Sequence, residues 1–276
     1  MKITAQQVNE LRKATGAGMM DCKKALVEAE GDMENAIDIL RKKGQKVAAN
    51  RADRSANEGV VLAKASADGK YAGIVMINCE TDFVAKNTDF VAYVQSVTDL
   101  AVENQAKSSD DLANLSLDGR TVGETIVDQT GVIGEKIELG KFDCVAGEST
   151  YAYIHPGNRI ATIVAFNKAG DHLAQAGKDV AMQVAAMAPV ALDKADVPQS
   201  TIDREIEIGK DQARQEGKAD EMLERIAMGK LGKFYKENTL LNQSFIKDGK
   251  KTVAEYLNDV EKGLTVVAFK RFALGA

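Results

Sequence analysis

At 276 residues, 45% of them hydrophobic and 28% charged, the chain is long enough for about two domains that bury their own cores without disulfide or metal staples. A net charge of −5 excludes a protein whose whole surface grips nucleic acid, since phosphate binding needs clustered cations, and no run of about 18 apolar residues is present to cross a bilayer. Three cysteines, Cys22, Cys79 and Cys144, and two histidines, His155 and His172, stand at wide spacings that make neither a disulfide framework nor a zinc cluster.

The first residues, Met1-Lys2-Ile3-Thr4, lead straight into polar sequence with no apolar signal segment, so reduced thiols and a cytoplasmic location are expected. Residues 1–44 read as three short helices. The first follows Thr4 as N-cap, carries Val8 and Leu11 on one face and stops near Gly16 and Gly18. The second covers about 21–29 and ends at Gly31. The third has Asp32 as cap, Ile37 and Leu40 facing inward, and Arg41-Lys42-Lys43 before a stop at Gly44. From Arg41 to Arg54 six basic residues face one acidic residue, a local charge of +5. That stretch reads as a solvated linker in preference to an RNA contact.

A hairpin pattern follows: Val60 to Ala63, a Ser66-Ala67-Asp68-Gly69 turn, then Tyr71 to Cys79, rich in β-branched residues. A helix over 89–105 carries Phe90, Val91, Val94, Val97, Leu100 and Ala101 as one apolar stripe. Residues 121–135 look helical and 136–145 extended. The strand, strand, helix order recurs with Tyr151 to His155, Ile160 to Phe166 around Pro156-Gly157-Asn158, and a helix over about 170–187. Residues 200–236 hold a thin apolar seam split by Gly217, which predicts an antiparallel helical hairpin, either a docking or dimerisation arm or one packed on its own core. A helix over 252–262 and a strand over 264–272 that rejoins the second sheet complete the chain. The expected fold class is α+β, with a three-helix module and basic linker (1–54), a two-part core with antiparallel sheets (55–145 and 146–199, closed by 237–276) and an inserted helical hairpin (200–236).

Two tracts carry more than architecture. The first, Leu11-Arg12-Lys13-Ala14-Thr15-Gly16-Ala17-Gly18-Met19-Met20-Asp21-Cys22-Lys23-Lys24, is a helix end, a Gly-flanked turn and a helix start with two adaptable methionines at the turn. The second, Asn78-Cys79-Glu80-Thr81-Asp82-Phe83-Val84-Ala85-Lys86, places a large apolar side chain beside a carboxylate on a connection. Local physics leaves Phe83 open between core and contact. Its pentapeptide Thr81 to Ala85 recurs as Thr88 to Ala92, where Thr88 is placed to cap a helix and Phe90 to be buried.

Both tracts resemble signatures of the elongation factor Ts family, and the order of modules is similar along nearly the whole chain. The resemblance implies a nucleotide exchange factor for elongation factor Tu, without bond chemistry or cofactor of its own, and an N-terminal module similar to ubiquitin-associated domains. By the same resemblance Thr81, Asp82, Phe83 and Val84 dislodge magnesium from the partner, while Arg12, Met19, Met20, Ile133 and His155, the last in a Tyr153-Ile154-His155 pattern, contact it. A homodimer through the hairpin is the other expected association; membrane and direct nucleic-acid contacts are not expected. The sequence departs from the family pattern at Met76, where Glu is usual, at Pro156, and in lacking an extra C-terminal helix after Phe272. Two other classes compete: a scaffold acting through residues 1–54 alone, and an enzyme with Cys79 as nucleophile beside Glu80 or Asp82, for which no base is apparent.

Overall fold

The structure, a computed structural model, describes residues 3–275. Helix α1 (Ala5–Thr15) begins at Thr4, whose hydroxyl accepts the Gln7 N–H while the Gln7 side chain accepts the Thr4 N–H. This reciprocal box satisfies two donors that a helix start otherwise leaves orphaned. With α2 (Met19–Glu28) and α3 (Met33–Arg51) it encloses a small core of Leu11, Cys22, Ala25, Leu26 and Ala36. Two expectations fail here. Helix α2 opens at Met19 and not Asp21, so the methionines belong to its first turn. Helix α3 runs through Gly44 to Arg51, so most of the expected linker is helix.

The remaining elements are β1 (Glu58–Ala65), β2 (Tyr71–Cys79), α4 (Asp82–Ala85), α5 (Thr88–Glu103), α6 (Ser109–Asn114), β3 (Ser116–Leu117), β4 (Arg120–Thr121), α7 (Val122–Ile133) and β5 (Glu138–Ala146). They continue with β6 (Ser149–Ile154), β7 (Ile160–Phe166), α8 (Ala174–Met187), α9 (Gln199–Gln215), α10 (Asp220–Asn238), β8 (Ser244–Phe245), β9 (Asp248–Thr252), α11 (Val253–Val260) and β10 (Val266–Ala273). Helix α5 is capped by Asn87, whose side chain accepts from Asp89 and Phe90, and Thr88 is its first residue rather than its cap. The fold is α+β. No helix of the described residues is long and apolar enough to cross a membrane.

Two antiparallel three-stranded sheets, ordered β1-β2-β5 and β10-β7-β6, share one plan. In each, a hairpin is followed by a helix, and a third strand arrives later to pair with the hairpin's second strand. Alternation along the strands sorts the side chains. Val60, Leu62, Val75 and Ile77 face α5 and α7, whereas Val61, Ala63, Ile74 and Met76 meet Ala161, Ile163 and Ala165 of the second sheet. Val164 and Phe166 point the other way, onto α8 and α11. The layers are therefore helices, sheet, sheet, helices, and Met76 acts through packing in the middle seam. Helices α9 and α10 bury Ala213, Leu223, Ala227 and Leu231 between themselves and turn at Gly217, whose φ of 74° lies in the left-handed region.

The continuation of α3 has a steric origin. Gly44 is buried where α3 crosses α7, and a Cβ built on Gly131 would lie 2.4 Å from the Gly44 Cα. The glycine that reads as a helix stop is a point where two helix backbones touch. A Cβ on Gly44 would instead sit 3.5 Å from the Gly131 Cα, an ordinary contact. The two alanine substitutions should therefore have opposite signs. Gly44→Ala is expected to stabilise by about 0.5–1 kcal/mol through helix propensity, and Gly131→Ala to destabilise by about 1–3 kcal/mol through overpacking against backbone. Urea unfolding of both variants checks this; equal midpoints would show that the crossing is loose.

Candidate partner-binding site

Strand β2 ends at Cys79 and the chain turns at once into α4. Thr81 caps that single turn, its hydroxyl accepting from the Val84 N–H at 3.4 Å. Val84 and Ala85 lean onto the first core, while Phe83 is left 83% exposed. Asp82 is half-exposed and pairs with Lys86 at 2.6 Å. The hydrogen bond from Lys86, followed by its charge, holds the Asp82 carboxyl below the usual carboxylate range. The tip therefore shows an exposed aromatic ring beside an ionised carboxylate.

The base of this tip is held by two successive residues on each side. Glu135 accepts the Thr81 N–H at 3.0 Å and its hydroxyl at 2.8 Å. Reciprocally, Glu80 accepts the Lys136 N–H at 2.6 Å, and the same oxygen takes Arg51 Nη1 at 2.8 Å. These donors hold the Glu80 carboxyl below its ordinary range, the Lys136 N–H most and Arg51 next. Below them, a Cβ on Gly140 would fall 1.8 Å from Asn78 Oδ1. Only glycine at this bulge leaves room for the Asn78 amide, which donates to the Glu58 carbonyl at 3.1 Å. The expectation of a solvated linker is corrected a second time here. Arg51 is paired, and the Arg54 carbonyl accepts from Lys136 Nζ at 3.1 Å.

The other candidate residues come from four separate elements. Ile133, partly buried, is the last residue of α7, just before Gly134 and Glu135. A Cβ on Gly16 would be 3.9 Å from Val132, so the α1–α2 turn lies against the same helix end. From that turn Met19 and Met20 project 63% and 62% exposed, with Arg12 also exposed on the last turn of α1. His155 is exposed at the end of β6, its Nδ1 at 3.0 Å from the Tyr153 hydroxyl. The following turn is tied to β1: Asn158 O accepts the Val61 N–H at 2.8 Å, and Arg159 pairs with Glu58. Glu58 stands opposite Cys79 in the sheet register. These contacts link the α1–α2 turn, the end of α7, the tip and the β6–β7 turn in series.

Sequence reasoning missed the residues that hold the tip, Arg51, Glu135 and Lys136, because the pairs join positions 29 to 56 apart in the chain. The nucleophile reading of Cys79 fails on geometry. Its side chain is fully buried, its thiol donates to the Thr81 carbonyl at 3.2 Å, and burial, followed by the charges of Glu135 and Glu58, pushes its pKa up to about 12. Such a thiol is not ionised near neutrality. Among the described residues, no group of three or more His, Cys, Asp or Glu side chains is arranged to hold a metal ion.

The model of the family described as "Elongation factor TS" matches residues 80–276. The chain is 52% identical over 274 residues to a protein named elongation factor Ts from Christiangramia forsetii, with 99% of each chain covered. It is 50% identical over 277 residues to the protein of that name from Porphyromonas gingivalis, covering 100% of both. With that of Cytophaga hutchinsonii the identity is 53% over 274 residues and 99% of each chain. The chain therefore belongs to the elongation factor Ts family of translation elongation factors.

Proposed function

We propose that this protein binds elongation factor Tu in its GDP form, disturbs the magnesium site there and promotes release of GDP. It performs no bond chemistry itself, and the buried, protonated Cys79 supports that reading. The observation that carries the proposal is the contrast between two copies of one pentapeptide: Phe90 is 2% exposed and Phe83 is 83% exposed. Burying a phenylalanine is worth about 1.5–3 kcal/mol. The free protein forgoes this at Phe83 and recovers it when the ring enters a partner.

Exchange then follows from linkage. A factor that binds the nucleotide-free partner more tightly than the GDP form makes GDP bind more weakly by the same factor. Each tenfold loosening needs about 1.4 kcal/mol of differential binding. Magnesium is the sensitive point, because it bridges nucleotide and protein and tolerates little departure from octahedral geometry. In this reading Phe83 wedges between partner elements while Asp82 sets negative charge beside them, and Thr81 and Val84 hold that turn in shape. Ile133 and His155 brace the same domain, and Arg12, Met19 and Met20 grip it at a second place. Residues 1–54, the two core parts and the arm would serve as separate modules of this grip. Exposed Ile208, Met222 and Met228 on α9 and α10 support use of the arm for docking, including to a second copy of the chain. The reading places the protein in the cytoplasm with the translation machinery and needs no direct nucleic-acid contact.

Release of a fluorescent GDP analogue from purified elongation factor Tu should accelerate on adding this protein; no acceleration at about micromolar concentration, the range of ordinary specific complexes, would end the exchange reading. Replacing Asp82 and Phe83 together by Ala should slow stimulated release by roughly tenfold or more, equivalent to about 1.4 kcal/mol or more, with a much smaller change in partner affinity. The two phenylalanines should also separate in stability. Phe90→Ala should cost about 3–5 kcal/mol as a core truncation, and Phe83→Ala should stay within about 0.5 kcal/mol of the parent, both read by thermal unfolding. A large loss of stability in Phe83→Ala would mean that the ring belongs to the core.

A further inference from the structure

Resting on the exchange reading above, we propose that Glu80, through its bond to Arg51, is a positioning residue that fixes the Phe83 tip relative to the N-terminal helices. Met19 and Met20 project from the three helices built around Leu11, Cys22 and Leu26, and Phe83 projects from a turn that packs on a different core through Val84 and Ala85. Their separation is set only by what joins those cores. One join is the α3–α7 crossing, where the Gly44 and Gly131 backbones touch, together with the α1–α2 turn that lies against Val132 of the same α7. The other lies at the far end of α3. There Arg51, 35% exposed, meets Glu80, 16% exposed, at 2.8 Å.

The same Glu80 oxygen is occupied by the Lys136 N–H, and the next residue, Thr81, is held through both its N–H and its hydroxyl by Glu135. Lys136 Nζ in turn reaches the Arg54 carbonyl. The end of α3 is therefore bonded to the residues from which the tip springs, not to a neighbouring surface loop. Charge-assisted bonds of this kind, partly shielded from water, are the stronger class of hydrogen bond. A tip that can rock against its module spends less time with the ring aligned while the methionines stay docked, and maximal exchange falls although binding persists.

The distinction is testable in the full-length protein by titrating it into elongation factor Tu loaded with a fluorescent GDP analogue. The saturating release rate and the half-saturating concentration are read separately. Arg51→Met should lower the saturating rate by roughly three- to tenfold, the scale of one charge-assisted bond, with the half-saturating concentration nearly unchanged. Arg51→Lys should restore most of the rate. Glu80→Gln, which keeps an acceptor for the Lys136 N–H, should reproduce the Arg51→Met defect. On a Phe83→Ala background Arg51→Met should have no further effect.

A saturating rate that Arg51→Met leaves unchanged overturns the positioning role alone. So does an equal fall with and without Phe83, which would mark a general loss of structure. A parent protein that does not accelerate release overturns the exchange reading and this proposal with it.

Discussion

Every residue of β2 is buried, and this constraint organises the rest of the molecule. A strand covered on both faces cannot alternate apolar and polar residues, so it reads as a continuous run from Tyr71 to Cys79. One set of its side chains needs the helical layer of α5 and α7, and the other needs the second sheet. The small residues Ala63, Ala72, Ala161 and Ala165 line the middle seam beside Ile74 and Ile163. Beside that seam the Asn158 carbonyl accepts the Val61 N–H and Arg159 pairs with Glu58, which brings the β6–β7 turn beside the start of β1 and the end of β2.

The exposed tip follows from the same burial. At the end of β2 and just beyond it, the polar residues are satisfied by specific partners: Asn78 by the Glu58 carbonyl, Glu80 by Lys136 and Arg51, Thr81 by Glu135. No buried side-chain nitrogen or oxygen among the described residues lacks a partner. With its stem so completely bonded, the turn of α4 can hold an apolar ring in water without collapsing onto the core.

How far the sequence can be read depends on which physical signal each residue sends. Periodicity marked the long helices and the central strands, while one family-like tract marked the α1–α2 turn and the other the tip. Gly44 misled because a glycine after three cations satisfies every local rule for a helix end; only its touching Gly131 across space decides otherwise. Thr88 misled because Asn87, one residue earlier, is also a strong cap, and sequence does not say which side chain turns back. Helix α6 and the two-residue strands β3, β4 and β8 are too short to show any period. The Phe83 and Phe90 copies differ in their C-terminal neighbours: an apolar stripe continues through Val94 and Val97 behind Phe90, whereas Lys86 and Asn87 close the turn behind Phe83. The bonds of Arg51 and Glu135 left no local trace, since each joins residues brought together by the finished fold.

The two sheets, although alike in plan, differ in how soon the chain can finish them. The first is complete once Ala146 has been made. In the second, Phe166 pairs with Val266, a hundred residues further along, and the helical arm intervenes. During synthesis β7 must therefore wait with one edge unpaired, in the state most open to wrong strand partners. Helices α9 and α10, whose contacts are mutual and local, can form in the interval and carry the closing strand no farther away than a tight helical turn-around allows. The arm thus shortens the search for β10 by turning a long loop into a compact spacer, an assembly role separate from anything the mature protein binds.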